Sequence, residues 1–408
     1  MRKTLDQKLA NIHANPDSCR DFILADAKDA DMAFGLAAPG QSPEYYGQEA
    51  KFRSIQEYRQ LMREIVAQGA VDIMLMSASS SEVLTLRERI FENSAVTPAC
   101  RANDTTDIWL AGTAARYTSQ PSQPFRSATI GHIMCGKSEC APAERCSGAD
   151  LGLYSVTFNN DLDADRRSLQ EYSLFRLEAE RMGFRHFLEV FDPNQMGDHP
   201  VEDFGRFIGD HIARTLAGVT SAGRPLFLKI PYHGPKAMEM LVHYDRDVVV
   251  GILGGSAGTT YDAFEMLWEA KKYGARVALY GRKINNAENQ LTFIRWLRAV
   301  ADDQIMPDEA VRAYHGDLQK LGIRPYRSLE DDLRQTATVS AYSGKPAAMT
   351  KSVAVTGAKK PVNAPTPEGV RCGPWSGAST VGGAGDATKG TGGEEPDFSK
   401  MTAAEKAM

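Results

Sequence analysis

The chain has 408 residues, 42% of them hydrophobic, so it is long enough for a large core and for one to three domains. Its net charge of −5 comes without a basic stripe, which argues against a nucleic acid partner. The apolar runs are too short to span a bilayer, and no apolar signal region follows the charged N-terminus. We therefore expect a cytoplasmic protein that does not bind membranes.

Eight short apolar runs predict β-strands, and amphipathic stretches between them predict helices. The runs cover residues 22–25, 71–76, 96–100, 152–158, 187–191, 226–230, 248–253 and 277–280. Helical spacing is clearest over 164–182 and recurs over 57–67, 82–91 and 201–216. Continuous apolar runs are typical of parallel strands covered on both faces. The pattern therefore predicts an α/β protein, a closed (β/α)₈ TIM barrel. The alternative is an open doubly wound sheet, although no Gly-x-Gly-x-x-Gly follows the first run.

Two segments interrupt this pattern. Residues 111–150, after the third strand, are too long for a barrel loop and predict an insertion at the barrel mouth or rim. From 338 onward the chain is rich in Gly, Ala, Thr, Lys and Pro and has almost no large aliphatic residues, which predicts a disordered tail. We expect a barrel domain over 1–337, which includes the insertion, and a tail over 338–408.

The insertion holds a cluster of cysteines, Cys135, Cys140 and Cys146. Their spacing lacks the paired Cys-x-x-Cys of a zinc knuckle, although His132 could complete a set of four ligands. We favour reduced cysteines in a long loop and expect no metal.

Lys229 ends the sixth apolar run, in the segment Pro-Leu-Phe-Leu-Lys-Ile-Pro-Tyr-His-Gly (225–234). An amine attacks a carbonyl carbon only when it is neutral, and burial and nearby cations favour the neutral form. We expect Arg282 and Arg101 to face the same barrel mouth as Lys229. The imine that forms is an electron sink, which permits cleavage or formation of the adjacent C–C bond. The alternative is a lysine that extends from a strand end to solvent.

Glycine-rich turns follow the last two runs. Gly254, Gly255 and Ser256 come after the seventh run, and Gly281 and Arg282 come after the eighth. In barrels this is the usual phosphate position, where backbone N–H groups and an arginine hold the anion. The alternative is a pair of tight turns that need glycine for conformational reasons.

These motifs, Lys-x-Pro-Tyr, Gly-Gly-Ser and Gly-Arg-Lys-Ile, resemble the closing third of class I aldolases of the archaeal-type fructose-bisphosphate aldolase group. That group belongs with the deoxyribose-phosphate and tagatose-bisphosphate aldolases. The resemblance covers about 22–300, strongly after 150. It implies a (β/α)₈ barrel, a Schiff base on Lys229 and a catalytic aspartate at Asp26, with Asp29 as the alternative. It assigns the phosphate to Gly254, Gly255, Ser256, Gly281 and Arg282.

The segment Thr-Pro-Ala-Cys-Arg-Ala-Asn (97–103) is similar to the third strand of these enzymes, which adds Arg101 and Asn103 as substrate-binding candidates. Other polar residues at strand ends are expected to contact substrate or to cap loops: Asp104, Glu189 and Asp192. The chain departs from the family at strand four, where Phe158 stands in place of an acid–base tyrosine and Tyr154 lies earlier. It also has Asp26-Ala-Lys28-Asp29 where the family has Asp-His-Gly.

The resemblance implies a class I aldolase-type lyase that acts on a phosphorylated ketose and needs no cofactor. Barrel aldolases of this kind are often homo-oligomers, and by analogy we expect one here. Two alternatives stay open. One is another imine-dependent sugar-phosphate enzyme, transaldolase-like or acyltransferase-like. The other is a non-catalytic scaffold that binds a phosphate ligand.

Overall fold

Eight parallel strands close into a barrel in the computed structural model, which describes residues 1–40, 52–109, 119–145, 147–196, 200–255 and 258–339. The strands are β1 Ile23–Lys28, β2 Ile73–Met76, β3 Thr97–Arg101, β4 Leu151–Thr157, β5 Arg185–Phe191, β6 Leu228–Ile230, β7 Val250–Leu253 and β8 Val277–Tyr280. Each strand pairs with the next, and Ile23 of β1 pairs with Val277 of β8. The prediction of a TIM barrel is confirmed, and an open sheet is excluded because β1 has a neighbour on both sides.

All eight predicted runs coincide with barrel strands, but β1 continues past its predicted end. The strand runs to Lys28 and includes two charged residues, Asp26 and Lys28, whose side chains are fully buried. A charged residue inside a strand breaks the apolar run from which the strand was predicted.

Helices separate the strands and cover the barrel. They are α1 Thr4–Ala14, α2 Asp31–Phe34, α3 Ile55–Gln68, α4 Ala78–Ser81, α5 Thr106–Trp109, α6 Ile130–Cys135, α7 Leu162–Met182, α8 Phe204–Ala217, α9 Pro235–Tyr244, α10 Thr260–Lys272, α11 Arg282–Asn285, α12 Gln290–Ala301, α13 Pro307–Lys320 and α14 Leu329–Asp332. Local signals set their ends: Ser54 and Glu57 form a capping box at the start of α3, which ends at Gly69 with φ of +68°. The helix expected over 82–91 is instead α4 followed by a π-helical segment, Glu82–Arg87.

The barrel interior is filled by alternate residues of the strands, because successive side chains of a strand point to opposite faces. The interior set comprises Ile23, Ala25, Ala27, Ile73, Leu75, Ala99, Leu151, Leu153, Phe187, Phe227, Val249, Val277 and Leu279. Leu5, Leu9 and Ile12 of α1 belong to the same cluster and close the end where the strands begin. The site is therefore expected at the other end, where the strands finish.

A short antiparallel hairpin, Asp104–Thr105 with Pro124–Phe125, opens the excursion between β3 and β4, which continues through α6. Residues 110–118, Cys146 and the tail from 340 lie outside the described residues, so the predicted domain boundaries stay predictions. In the described part of the chain, no helix combines the length and apolar character needed to cross a bilayer.

Candidate active site

Lys229 lies inside the barrel near the carboxyl ends of the strands. Phe227 belongs to the interior cluster, so Lys229, two residues further along, faces the interior as well. Only 7% of Lys229 is exposed. Its Nζ lies 2.5 Å from Oε1 of Glu189, the residue opposite it on β5 in the parallel register. The amine is therefore enclosed and has a carboxylate within direct reach.

Glu189 is one member of a buried polar chain that crosses the barrel. Ser155 Oγ on β4 donates to Glu189 Oε2 at 2.7 Å, and Arg101 Nη1 on β3 donates to the same Oγ at 3.3 Å. Arg101 Nε donates to Asp29 Oδ2 at 2.6 Å, just after β1. Burial opposes the charge of Arg101, but the nearby Asp29 and Glu189 outweigh it and raise the pKa of the guanidinium. Arg101 thus stays cationic, with its Nη2 3.7 Å from Oε2 of Glu189, the carboxylate that contacts Lys229.

Asn103 positions Ser155 in this chain. Its Nδ2 donates to the Ser155 carbonyl oxygen at 2.8 Å, and its Oδ1 accepts from the Ser155 N–H at 2.6 Å. Both ends of the amide are therefore occupied by the backbone of β4. Asp104, in contrast, accepts from Ser127 Oγ at 3.2 Å and belongs to the hairpin of the excursion.

The structure does not bring Asp26 together with Lys229. Ile23, Ala25 and Ala27 face the interior, so Asp26 and Lys28 face outward toward α3. There Lys28 Nζ lies 3.2 Å from Asp26 Oδ2 and 6.0 Å from the ring centroid of Tyr58. Burial raises the pKa of Asp26 to about 6 against the opposing pull of Lys28. Asp29, the alternative that the sequence left open, contacts Arg101 and so belongs to the polar chain that reaches Glu189, the residue in contact with Lys229.

Strand four supplies no tyrosine to the interior. Tyr154 faces outward and packs against Phe175, with ring centroids 4.5 Å apart, and Phe158 packs against His211 at 4.8 Å. Leu151 and Leu153 of this strand face the interior, so by alternation the next inward positions are Ser155 and Thr157. β4 therefore places no tyrosine hydroxyl inside the barrel.

Packing at Gly254 and backbone conformation at Gly255 account for the two described glycines after β7. The N–H of Gly254 donates to the Leu279 carbonyl oxygen at 2.8 Å, so it is not available to a phosphate. A Cβ at Gly254 would overlap the ring of Tyr280, whereas Gly255 has φ of +61° and open space around it. Ser256 lies outside the described residues.

The turn after β8 approaches β1 and the turn after β7. A Cβ at Gly281 would lie 2.8 Å from the Ala27 carbonyl oxygen, so the close approach of β1 requires glycine. The Arg282 guanidinium lies 5.6 Å from the ring centroid of Phe34. Lys283, which the sequence reasoning did not single out, donates from Nζ to the Gly258 carbonyl oxygen at 2.9 Å. Burial, followed by the charge of Arg327, lowers the pKa of Lys283 to about 8.

An apolar cluster covers the mouth above Lys229. It consists of Ala33, Ile108, Phe191 and Leu253, with Phe34 packed against it. Phe191 and Leu253 are one inward position beyond Glu189 and Gly251, which places the cluster in the next layer of the barrel. This apolar cap therefore lies one layer further toward the mouth than Glu189 and its register partner Lys229.

The cysteines differ from the expectation of reduced thiols. Cys135, at the end of α6, forms a disulfide with Cys140, whereas Cys146 lies outside the described residues. Disulfides are rare in cytosolic proteins, and the expected cytoplasmic location stays a prediction. Among the described residues, no group of three or more His, Cys, Asp or Glu side chains could hold a metal ion.

The sequence matches no protein-family model and no curated protein. Solved structures do resemble the chain. One is an archaeal fructose 1,6-bisphosphate aldolase, at 12% identity and a TM-score of 0.51, over 72% of this chain and 99% of the other. A Schiff base forming fructose-1,6-bisphosphate aldolase aligns at 16% identity and 0.52, with the same shares covered. The fructose-bisphosphate aldolase from Slackia heliotrinireducens aligns at 14% and 0.54, over 76% and 91%. At these identities the likeness shows that the chain has the barrel fold of these aldolases.

Proposed function

We propose that this barrel is a carbon–carbon lyase that acts on a phosphorylated ketose through an imine on Lys229, in the manner of a class I aldolase. The observation that carries the proposal is the enclosed amine of Lys229 with the Glu189 carboxylate 2.5 Å away. A buried amine beside a proton acceptor suits nucleophilic attack on a ketone. The aldolase names of the similar solved structures add support at the level of the fold.

In the proposed mechanism, Lys229 Nζ attacks the ketone carbon and forms a carbinolamine. Glu189 takes the proton that the amine loses and returns it to the departing hydroxyl, so that water leaves and the imine forms. Arg101 and Ser155 hold Glu189 in place through the polar chain, and Asp29 anchors Arg101. The protonated imine then accepts the electron pair of the breaking C–C bond.

The phosphate is proposed to bind at the turns after β7 and β8. Arg282 supplies a guanidinium suited to a phosphate, and Gly255, Ser256 and Gly281 supply backbone at the same turns. Lys283 adds a second cation that ties the two turns together through the Gly258 carbonyl oxygen. Gly254 contributes through its packing against Tyr280, because its own N–H is already bonded.

The test is intact mass after sodium borohydride reduction in the presence of a panel of ketose and triose phosphates. We expect a covalent adduct of one ligand on Lys229 in the wild type and none in Lys229→Ala. Lys236→Ala is the matched control, because Lys236 is an exposed lysine at the start of α9. Peptide mapping assigns the adduct. No adduct from any phosphorylated ketone would contradict the proposal, and equal phosphate-ligand binding by Lys229→Ala would favour a scaffold.

A transaldolase-like reaction is the second candidate, and the outward orientation of Tyr154 and Phe158 favours it. With no strand-four tyrosine, release of the donor fragment from the imine is expected to be slow. The two reactions are separated by turnover with and without an acceptor aldehyde. A transferase reacts only when the acceptor is present, whereas a lyase cleaves the ketose alone.

A further inference from the structure

Strands β5 and β6 are bridged twice at their carboxyl ends. The inner bridge is the contact of Glu189 with Lys229 inside the barrel. The outer bridge joins Asp192, just after β5, to His233, in the loop after β6, with Nε2 2.7 Å from Oδ1. Glu189 and Lys229 are register partners on neighbouring strands. Asp192 and His233 follow the ends of the same two strands, so this second bridge lies further along the chain than the first. The second pair has no role in the proposed formation of the imine.

The surroundings of His233 leave its second ring nitrogen available. Asp192 is nearly buried, whereas 14% of the His233 side chain is exposed. Asp192 is the hydrogen-bond partner that the described part of the chain offers His233, and it engages Nε2 alone. On its other side the histidine backs onto the first turn of α8, where a Cβ at Gly205 would lie 3.1 Å from its own Cβ. Held at one nitrogen by a carboxylate and partly exposed in the loop after β6, the ring has the arrangement of an oriented acid–base group.

Two other titratable side chains of the barrel, one of them at its opposite end, are less suitable. Asp107 is buried and accepts hydrogen bonds from Ser122 Oγ at 2.7 Å and Thr157 Oγ1 at 3.2 Å. His186, which follows the start of β5, is buried against Tyr172, with Tyr172 Oη 2.8 Å from its Nε2. Both groups are enclosed by protein, whereas His233 reaches solvent.

We propose that His233, oriented by Asp192, is the catalytic acid–base residue that replaces the missing strand-four tyrosine. The inference rests on the proposed function and extends it to the C–C bond step. His233 Nδ1 takes the proton of the hydroxyl on the carbon beyond the breaking bond. That oxygen becomes the carbonyl of the departing aldehyde, and the C–C electron pair moves to the imine nitrogen to give an enamine.

The same proton completes the reaction. The imidazolium, stabilised by Asp192 at Nε2–H, donates the proton from Nδ1 to the enamine carbon, which restores the imine. Water then hydrolyses the imine, which releases the ketone and returns the Lys229 amine. One proton thus moves from hydroxyl to carbon through His233, and no external oxidant or reductant is required.

The experiment compares the wild type with His233→Asn and His233→Ala in two assays. The first is borohydride trapping of dihydroxyacetone phosphate, which reports imine formation on Lys229 without any C–C cleavage. The second is turnover of the ketose phosphate that the trapping panel identifies. His243→Asn is the matched control, because His243 is exposed near the end of α9, in the helix that follows the same loop.

We expect trapping to persist in both His233 variants, while turnover falls by about 10²- to 10⁴-fold, the usual contribution of a general acid–base. Added imidazole is expected to restore part of the turnover of His233→Ala, which a structural role would not allow. Asp192→Asn is expected to lower turnover less than His233→Asn. Retained trapping also shows that the variants fold.

Two outcomes would overturn the assignment separately from the proposed function. Wild-type turnover in His233→Asn, with trapping intact, removes His233 from the mechanism and leaves the imine in place. A loss of trapping in parallel with turnover, without imidazole rescue, identifies the pair as a structural bridge between the two loops. Absence of any adduct in the wild type overturns the imine mechanism and, with it, the role of His233.

Discussion

The buried pair of Asp26 and Lys28 is expected to make the stability of the barrel depend on pH. Both side chains are fully buried between β1 and α3, with Nζ 3.2 Å from Oδ2 and the Tyr58 ring 6.0 Å from the amine. The perturbation is Lys28→Met, which removes the cation and leaves the carboxyl group enclosed. The companion variant, Asp26→Leu with Lys28→Met, removes both charges and keeps apolar bulk.

The size and sign of the effect follow from the pKa of Asp26. Burial raises that pKa from 3.8 to about 6, and each pKa unit corresponds to about 1.4 kcal/mol. Between pH 4 and 6 the folded state holds the proton more tightly than the unfolded state. The contribution of Asp26 to the free energy of unfolding therefore falls by about 3 kcal/mol as pH rises through this window. Lys28→Met leaves an unpaired carboxylate, so we expect a further loss of about 3–5 kcal/mol at pH 7.

The assay is urea unfolding at pH values from 4 to 8 for the wild type, both variants and a surface control. The double variant is expected to have a shallower slope between pH 4 and 6, because the contribution of Asp26 is lost while Asp31, Asp104 and Asp107, whose pKa values burial also raises, remain. It is expected to be as stable as the wild type or more stable by about 1–4 kcal/mol. Arg63→Met, which breaks an exposed pair with Glu88, is expected to cost less than about 1 kcal/mol. The reasoning is refuted if Lys28→Met unfolds like the wild type, or if the slope of the double variant between pH 4 and 6 equals that of the wild type.

Three further predictions concern other parts of the molecule. Arg101→Lys keeps the charge but loses the planar guanidinium that bonds Asp29 and Ser155, so we expect at least a tenfold lower yield of borohydride adduct. An unchanged yield would contradict the role of Arg101 in positioning Glu189. Gly254→Ala forces a Cβ against Tyr280, and we expect unfolding measurements to show a loss of about 1–3 kcal/mol; a stability equal to the wild type would exclude that packing. Replacing Cys135 and Cys140 by serine opens a short loop and is expected to cost about 2 kcal/mol from chain entropy, with no further effect of reducing agent on the variant.

The barrel could be predicted because each strand is buried on both faces. Continuous apolar runs such as 248–253 identify such strands without knowledge of their neighbours. The inward orientation of Lys229 is likewise accessible, since it lies two residues beyond Phe227 in one short strand. Local helix signals, such as the capping box at Ser54, also depend only on residues close together in the chain.

The features that the sequence did not predict depend on contacts between residues that are distant in the chain. Asp26 and Asp29 both follow the first apolar run, and only the register of β1 decides that the first faces α3 and the second faces Arg101. The need for glycine at 254 comes from the Tyr280 ring on the next strand. The pairing of Cys135 with Cys140 could not be inferred from spacing alone.

His233 illustrates the same limit within a motif that the sequence did highlight. The residue is part of the Lys-x-Pro-Tyr-His segment, but its partner Asp192 lies 41 positions earlier. Nothing local to His233 distinguishes a solvent-facing loop residue from one that an aspartate orients. Only the adjacency of β5 and β6 brings the pair together.

The apolar cap over Lys229 has a kinetic consequence for any ketone that reacts there. Two of its members, Ala33 and Ile108, belong to the four-residue helices α2 and α5, whereas Phe191 and Leu253 are fixed in barrel strands. We therefore expect entry of a ligand to displace these two short helices rather than the barrel strands. Such gating occurs on microsecond to millisecond timescales and sets a ceiling on the association rate. In the proposed mechanism, the same four side chains would limit the access of bulk water to the imine on Lys229.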